Sequence, residues 1–130
     1  MLEYNIRNSG DVTIIDLKGP ITLGEALAQG QKSGRTITDG PRPTVVGEIV
    51  RGILQQGGRK ILLNLTHVTY IDSSGIGELV GTFTSVQRCG GQLRLLNPVA
   101  RVVNILRVTS IDHLFPVSTN EASAIHSFSE

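Results

Sequence analysis

The chain has one cysteine, Cys89, so no disulfide can form within it, and this sparse thiol content fits a reducing compartment. Near the end of a predicted helix, Cys89 reads as a small buried hydrophobe rather than a reactive thiol. An excess of charge of one sign is also missing: twelve basic residues face eleven acidic ones, for a formal net charge of +1. That balance excludes the electrostatic footprint of a nucleic-acid binder and the basic patch of a protein held on an anionic membrane. No apolar run approaches the roughly 18 residues that a membrane span needs. Met1-Leu2-Glu3-Tyr4 lacks the basic start and apolar core of a secretion signal. A cytoplasmic chain is therefore expected. Its 130 residues show no internal repeat and no second domain, and a domain of this size buries roughly two-thirds of its unfolded surface.

Several kinds of chemistry are missing too. Neither Ser73 nor Ser74 stands in a Gly-x-Ser-x-Gly elbow, which a nucleophilic hydrolase of that type would need. His67, His113 and His126 have no cysteine or histidine partner at metal-ligand spacing, so no zinc site is expected. Gly75-Ile76-Gly77 lacks the third glycine of a dinucleotide loop, and it falls some ten residues after the predicted strand, too late for a tight βα turn. Asn64-Leu65-Thr66 matches a glycosylation triplet but lies on a predicted buried strand. No catalytic residue, cofactor or metal is expected, and the chain reads as a binding protein rather than an enzyme.

What is present centres on Lys60 to Gly90. Lys60–Leu65 is almost continuously apolar, as suits a strand buried on both faces. A polar turn follows, and then Ile76, Leu79, Val80, Phe83 and Val86 recur at spacings of three and four, which place one apolar stripe on a helix. Gly90-Gly91 stops that helix, and Gln92–Leu96 reads as a second strand. The result is a βαβ unit with a parallel pair. Asp72-Ser73-Ser74-Gly75 thus sits at a helix start beyond the end of a central strand, the edge at which open α/β sheets usually place their sites. Taken alone, these four residues fit a simple capped turn, because Asp and Ser oxygens accept first-turn amides and Gly75 keeps the approach slim.

Around this unit, Tyr4–Asn8 and Val12–Lys18 read as a hairpin joined through Ser9-Gly10-Asp11. Gly19-Pro20 interrupts, and Ile21-Thr22-Leu23 continues as a short extended piece. Gly24 to Pro43 carries glycines at 24, 30, 34 and 40 with almost no apolar periodicity, and it reads as a flexible insertion whose extra length costs little. We expect this stretch to border Ser73 and adjust partner choice. Thr44 is placed to cap a helix whose inner face is Val45, Val46, Ile49, Val50, Ile53 and Leu54, ended by Gly57-Gly58. Asn97 with Pro98 opens a third helix with Val99, Val102, Val103 and Leu106 inward. His113–Val117 fits a short edge strand. Ser118-Thr119-Asn120-Glu121 is a capping box for a last helix with Ala122, Ile125 and Phe128 inward.

The string Val68-Thr69-Tyr70-Ile71-Asp72-Ser73-Ser74-Gly75-Ile76-Gly77 resembles the signature of the STAS domain, found in bacterial anti-sigma factor antagonists. The strand before it, the Gly90-Gly91 break, the strand after it and Asn97-Pro98 resemble that family in order and spacing. Outside residues 22 to 44 the resemblance covers most of the chain. It implies one α/β domain over residues 1–130, with a mixed, mostly parallel sheet, an N-terminal antiparallel hairpin and about four flanking helices. It also implies that Ser73 accepts phosphate from an anti-sigma factor serine kinase, with Ser74 as the alternative acceptor, and that a PP2C-type phosphatase removes it. The implied docking residues are Asp72, Ser73, Ser74, Gly75, Ile76, Gly77, Glu78, Gly81 and Thr82. Asp72 and Glu78 would make that face negative, while Gly81, Thr82 and Ser85 would make its helical side smooth. A monomer or weak dimer is expected. Family members often carry an acidic residue after Gly-x-Leu, where this chain has Gly19-Pro20-Ile21-Thr22, so contacts made by that acid do not transfer. A STAS module of another signalling complex, in stress sensing or a two-component network, and a small nucleotide- or ligand-binding domain remain as alternative readings.

Overall fold

The computed structural model of the chain describes residues 2–22 and 45–128. Its elements run β1 (Glu3–Ser9), β2 (Val12–Ile21), α1 (Val45–Gln55), β3 (Lys60–Ile71), α2 (Ser73–Arg88), β4 (Gln92–Leu96), α3 (Ala100–Val108), a 3-10 turn (Asp112–Leu114), β5 (Val117–Ser118) and α4 (Glu121–Ser127). The five strands lie in one sheet in chain order. β1 and β2 form the antiparallel hairpin, and every later neighbour pairs in parallel. This is the mixed α/β arrangement that the sequence predicts.

Sequence pattern explains the layering. Side chains alternate across a strand, so β2 and β3 each serve two cores. Ile15, Leu17, Ile61, Leu63 and Leu65 face one side, where Val46 and Val50 of α1, Ile76, Leu79 and Val86 of α2, and Val102 and Leu106 of α3 cover them. Ile14 and Leu62 face the other side, where Ala124 and Phe128 at the chain's end close a smaller core. A strand buried on both faces has no reason to alternate polar with apolar residues, which is why Ile61-Leu62-Leu63 reads as a continuous run.

The strands extend further than their apolar runs. β2 passes through Gly19-Pro20 to Ile21, and β3 passes through the expected polar turn to Ile71. Two register shifts accommodate this, between Asp16 and Lys18 and between Gly19 and Ile21, each adding one residue on β3. Pro20 sits at the second shift, where its missing amide donor costs no ladder bond.

Two helix starts also differ from expectation. Asn97 does not cap α3: it adopts φ 50° and its side-chain amide donates to Thr66 Oγ1 at 3.3 Å, while Val99 occupies the cap position without a side-chain bond. In α4 the cap is Asn120, whose Oδ1 accepts from Ser123 N at 3.0 Å, and Ala122 faces out. The expected edge strand at 113–117 shortens to Val117–Ser118 behind the 3-10 turn. Cys89 is exposed, not buried. The expected insertion, apart from Thr22, and the expected Thr44 cap lie outside the described residues.

Candidate functional site

One residue, Asp72, connects the end of β3 to the start of α2. Its backbone is extended, with φ −92° and ψ −177°, and its Oδ1 accepts from Gly75 N at 2.8 Å, so one orphan amide of the first turn is satisfied by its own cap. Its carbonyl accepts the first helical bond from Ile76 N at 2.9 Å, and its amide donates to Ile21 O at 3.3 Å. The helix start is thereby tied to the ends of both central strands. Gly75 makes this possible: a Cβ there would collide with the Ile21 carbonyl and come within 2.8 Å of Ile71 Cγ2. With the inner side of the turn pressed against β2, Ser73 and Ser74 are turned outward.

Both serines are exposed, and neither hydroxyl bonds a described residue. Capping falls to Asp72, and Ser74 has no part in it. Because β3 reaches Ile71, the glycines of Gly75-Ile76-Gly77 follow the strand closely, contrary to the spacing expected from the sequence. The Gly75 amide, which a phosphate loop would offer to its ligand, is already taken by Asp72 Oδ1.

Four residues of the expected docking set are buried, and two of them, Glu78 and Thr82, turn polar side chains inward. Glu78 is only 7% exposed, and its Oε1 accepts from Val46 N at 2.6 Å. A carboxylate at the amino end of α1 satisfies an orphan amide and meets the positive end of the helix dipole. Glu78 therefore joins the starts of two helices and does not make the outer face negative. Thr82, 3% exposed, donates its hydroxyl to Glu78 O at 2.8 Å and also lies inside. Gly75 and Ile76 are buried beneath the turn.

The outer stripe of α2 consists of Ser73, Ser74, Gly77, Gly81, Thr84 and Ser85, ending at Arg88. Thr84 and Ser85 return their hydroxyls to the carbonyls of Val80 and Gly81 at 3.0 Å each, which leaves a low, nearly uncharged surface. Added Cβ atoms at Gly77 and Gly81 would meet nothing within 4 Å. One exposed residue just before the turn was not foreseen: Tyr70, at the C-terminal overhang of β3 beside the second register shift. Only the shift signals it, because a regular strand would alternate Thr69 and Tyr70 between faces.

Away from Ser73, a pocket of about 160 Å³ is lined by Phe83, Gln87, Leu93, Arg94, Leu114 and Pro116. That volume is below the roughly 300 Å³ at which small-molecule sites begin. Among the described residues no group of three or more His, Cys, Asp or Glu could hold a metal, and no helix is long and apolar enough to cross a membrane.

Together the fold and site define a mixed α/β domain that presents an exposed serine at a helix start beyond its central strands. The STAS domain family model matches residues 3–124, and the chain belongs to that family. It is 31% identical over 72 residues to the anti-sigma-B factor antagonist of Bacillus subtilis (strain 168), a match spanning 55% of this chain and 66% of that protein. An anti-sigma factor antagonist from Mycobacterium paratuberculosis shares the fold with a TM-score of 0.76 at 13% identity, over 100% of this chain and 96% of that one. The Bacillus cell fate determinant SpoIIAA in its phosphorylated form superposes with a TM-score of 0.64 at 19% identity, over 96% and 98% of the two chains.

Proposed function

We propose that the protein is an anti-sigma factor antagonist whose docking on an anti-sigma factor serine kinase is switched off by phosphorylation of Ser73. The observation that carries this reading is Ser73 itself, exposed and with a hydroxyl that bonds no described residue, at the first position of a 16-residue helix whose cap, Asp72, is already committed to Gly75. Its hydroxyl is free to meet a kinase. A phosphate there would add roughly −1.5 to −2 charges beside first-turn amides and the positive end of the dipole, so the domain itself tolerates it.

The partner would not. With Glu78 and Thr82 turned inward, the docking surface reduces to Ser73, Ser74, Gly77, Gly81, Thr84, Ser85 and Tyr70, with Asp72 half-buried at its rim. A dianion in that nearly neutral patch becomes its dominant charge and must be desolvated on docking. The relative named as an anti-sigma-B factor antagonist supports the choice of partner class. In this reading the chain is a kinase substrate with no catalysis of its own, and a PP2C-type phosphatase restores it.

The test is capture from the native cytosol on two baits, Ser73→Ala and Ser73→Asp, read by mass spectrometry. A kinase-like ATPase held by the alanine bait and lost from the aspartate bait is the expected result. Equal retention on both would show that Ser73 does not gate docking and would leave a constitutive module of another signalling complex. Repeating the alanine capture with residues 26–38 deleted tests whether that stretch adjusts partner choice; unchanged recovery rules it out.

A further inference from the structure

We propose that β1 pairs with β1 of a second copy of this chain, antiparallel about a two-fold axis through Asn5, to join two sheets into one. The two edges of the sheet are treated differently. β5 is only two residues long and follows Pro116, so it offers little template. β1 is seven residues long, regularly paired to β2 with no bulge, and contains no Pro, Gly or Lys. Of the devices that commonly blunt an edge, β1 carries charge, at Glu3 and Arg7, but not shortness, proline or a bulge.

The free side of β1 follows from its hairpin. The two-residue turn Gly10-Asp11 makes Ser9 and Val12 the closing hydrogen-bonded pair, and alternation then directs the backbone groups of Arg7, Asn5 and Glu3 toward β2. The amides and carbonyls of Tyr4, Ile6 and Asn8 point away from the sheet. Tyr4 and Ile6 are also the exposed apolar side chains of this strand, at 54% and 43%.

The exposed apolar pair selects the register. Centring on Asn5 sets Tyr4 opposite the partner's Ile6, and Ile6 opposite the partner's Tyr4, as hydrogen-bonded pairs. Centring on Ile6 instead sets Tyr4 against Asn8 at both ends, which breaks up those apolar pairs. Glu3 faces the partner's Arg7 in the Asn5 register, but that guanidinium is already held by Asp16 and Glu121 of its own chain, so charge adds little to the choice. The contact is isologous, as closed homodimers require.

Sedimentation of the full chain over a range of concentrations tests the dimer. The wild type should show a dimer that Ile6→Pro abolishes while the circular dichroism spectrum is retained, because the Ile6 amide faces outward and proline removes no bond within the chain. A wild type that stays monomeric, or a dimer that survives in folded Ile6→Pro, overturns the proposal. Cysteine pairing in a Cys89→Ser background tests the register and keeps the question decidable if the proline variant does not fold. Asn5→Cys should form an intermolecular disulfide readily on oxidation and Ile6→Cys should not, since only position 5 faces itself across the axis at a spacing a disulfide can bridge. The reverse order, or no preference, overturns the Asn5-centred pairing.

Discussion

A methyl group at Gly75 would strike the Ile21 carbonyl, whereas at Gly77 or Gly81 it would meet open space. The first glycine is therefore required by the fold, and the other two are not. Glycine inside a helix costs about 0.5–1 kcal/mol relative to alanine, so α2 gives up stability at positions 77 and 81 for no gain within the chain. A partner that approaches the helix backbone closely would supply the reason. Gly77→Ala and Gly81→Ala should each raise unfolding stability by up to about 1 kcal/mol in a urea titration while weakening capture of the kinase. Gly75→Ala should lose about 3 kcal/mol or more by the same measurement, because the crowding atom is backbone. Stabilisation without loss of capture would show that the smooth face is not where the partner sits.

At the scale of elements, α4 is held to the sheet by more than its small core. Arg7 on β1 donates Nε to Asp16 Oδ2 at 2.6 Å and Nη2 to Asp16 Oδ1 at 2.9 Å, and its Nη2 also reaches Glu121 Oε1 at 2.6 Å. Asn64 Nδ2 adds a bond to Asp16 Oδ1 at 2.8 Å. Arg7 holds both carboxylates below their ordinary range, with Asn64 contributing at Asp16, and the two carboxylates together hold the guanidinium protonated. A depressed carboxylate pKa stabilises the fold above its unfolded value, and that contribution is lost as pH falls through the folded value. Stability should hold near neutral pH and decline from about pH 4 downward, through the carboxylate range. All three groups are partly exposed, so solvent screening limits the effect. Arg7→Ala should cost about 1 kcal/mol at pH 7 and flatten the acid limb of a stability-against-pH curve. An unchanged limb would place the acid sensitivity elsewhere.

For the whole molecule, the proposed switch requires that phosphorylation change binding and leave the fold alone. The thermal midpoint of the phosphorylated protein should stay within about 3 °C of the unmodified one, as expected for a phosphate that faces amides at a helix start instead of entering a core. A larger fall would mean that release works by loosening α2, not by charge at the docking face. The two proposed surfaces are separate in the fold, since β1 is an outer edge of the sheet and Ser73 lies at the end of its middle strand. Dimer formation and docking can therefore be tested independently of each other.

The local periods of the sequence determined the βαβ unit about Lys60–Leu96, the hairpin before it, the inner faces of α1 and α2, and the exposed Ser73 at a helix start. Each of these is set by neighbours a few residues apart, through side-chain alternation, helical spacing and turn chemistry. Tertiary structure alone decided the rest. Glu78 lies beside the apolar stripe of α2, and a carboxylate there reads as solvent-facing until an amide 32 residues upstream arrives to receive it. Asn97 reads as a cap until Thr66 claims its side chain, and Arg7 reads as one more edge charge until Glu121 closes over it from 114 residues away. A buried polar group is stable only with its partner in place, and the partner's position is a property of the assembled sheet that no short window of sequence contains.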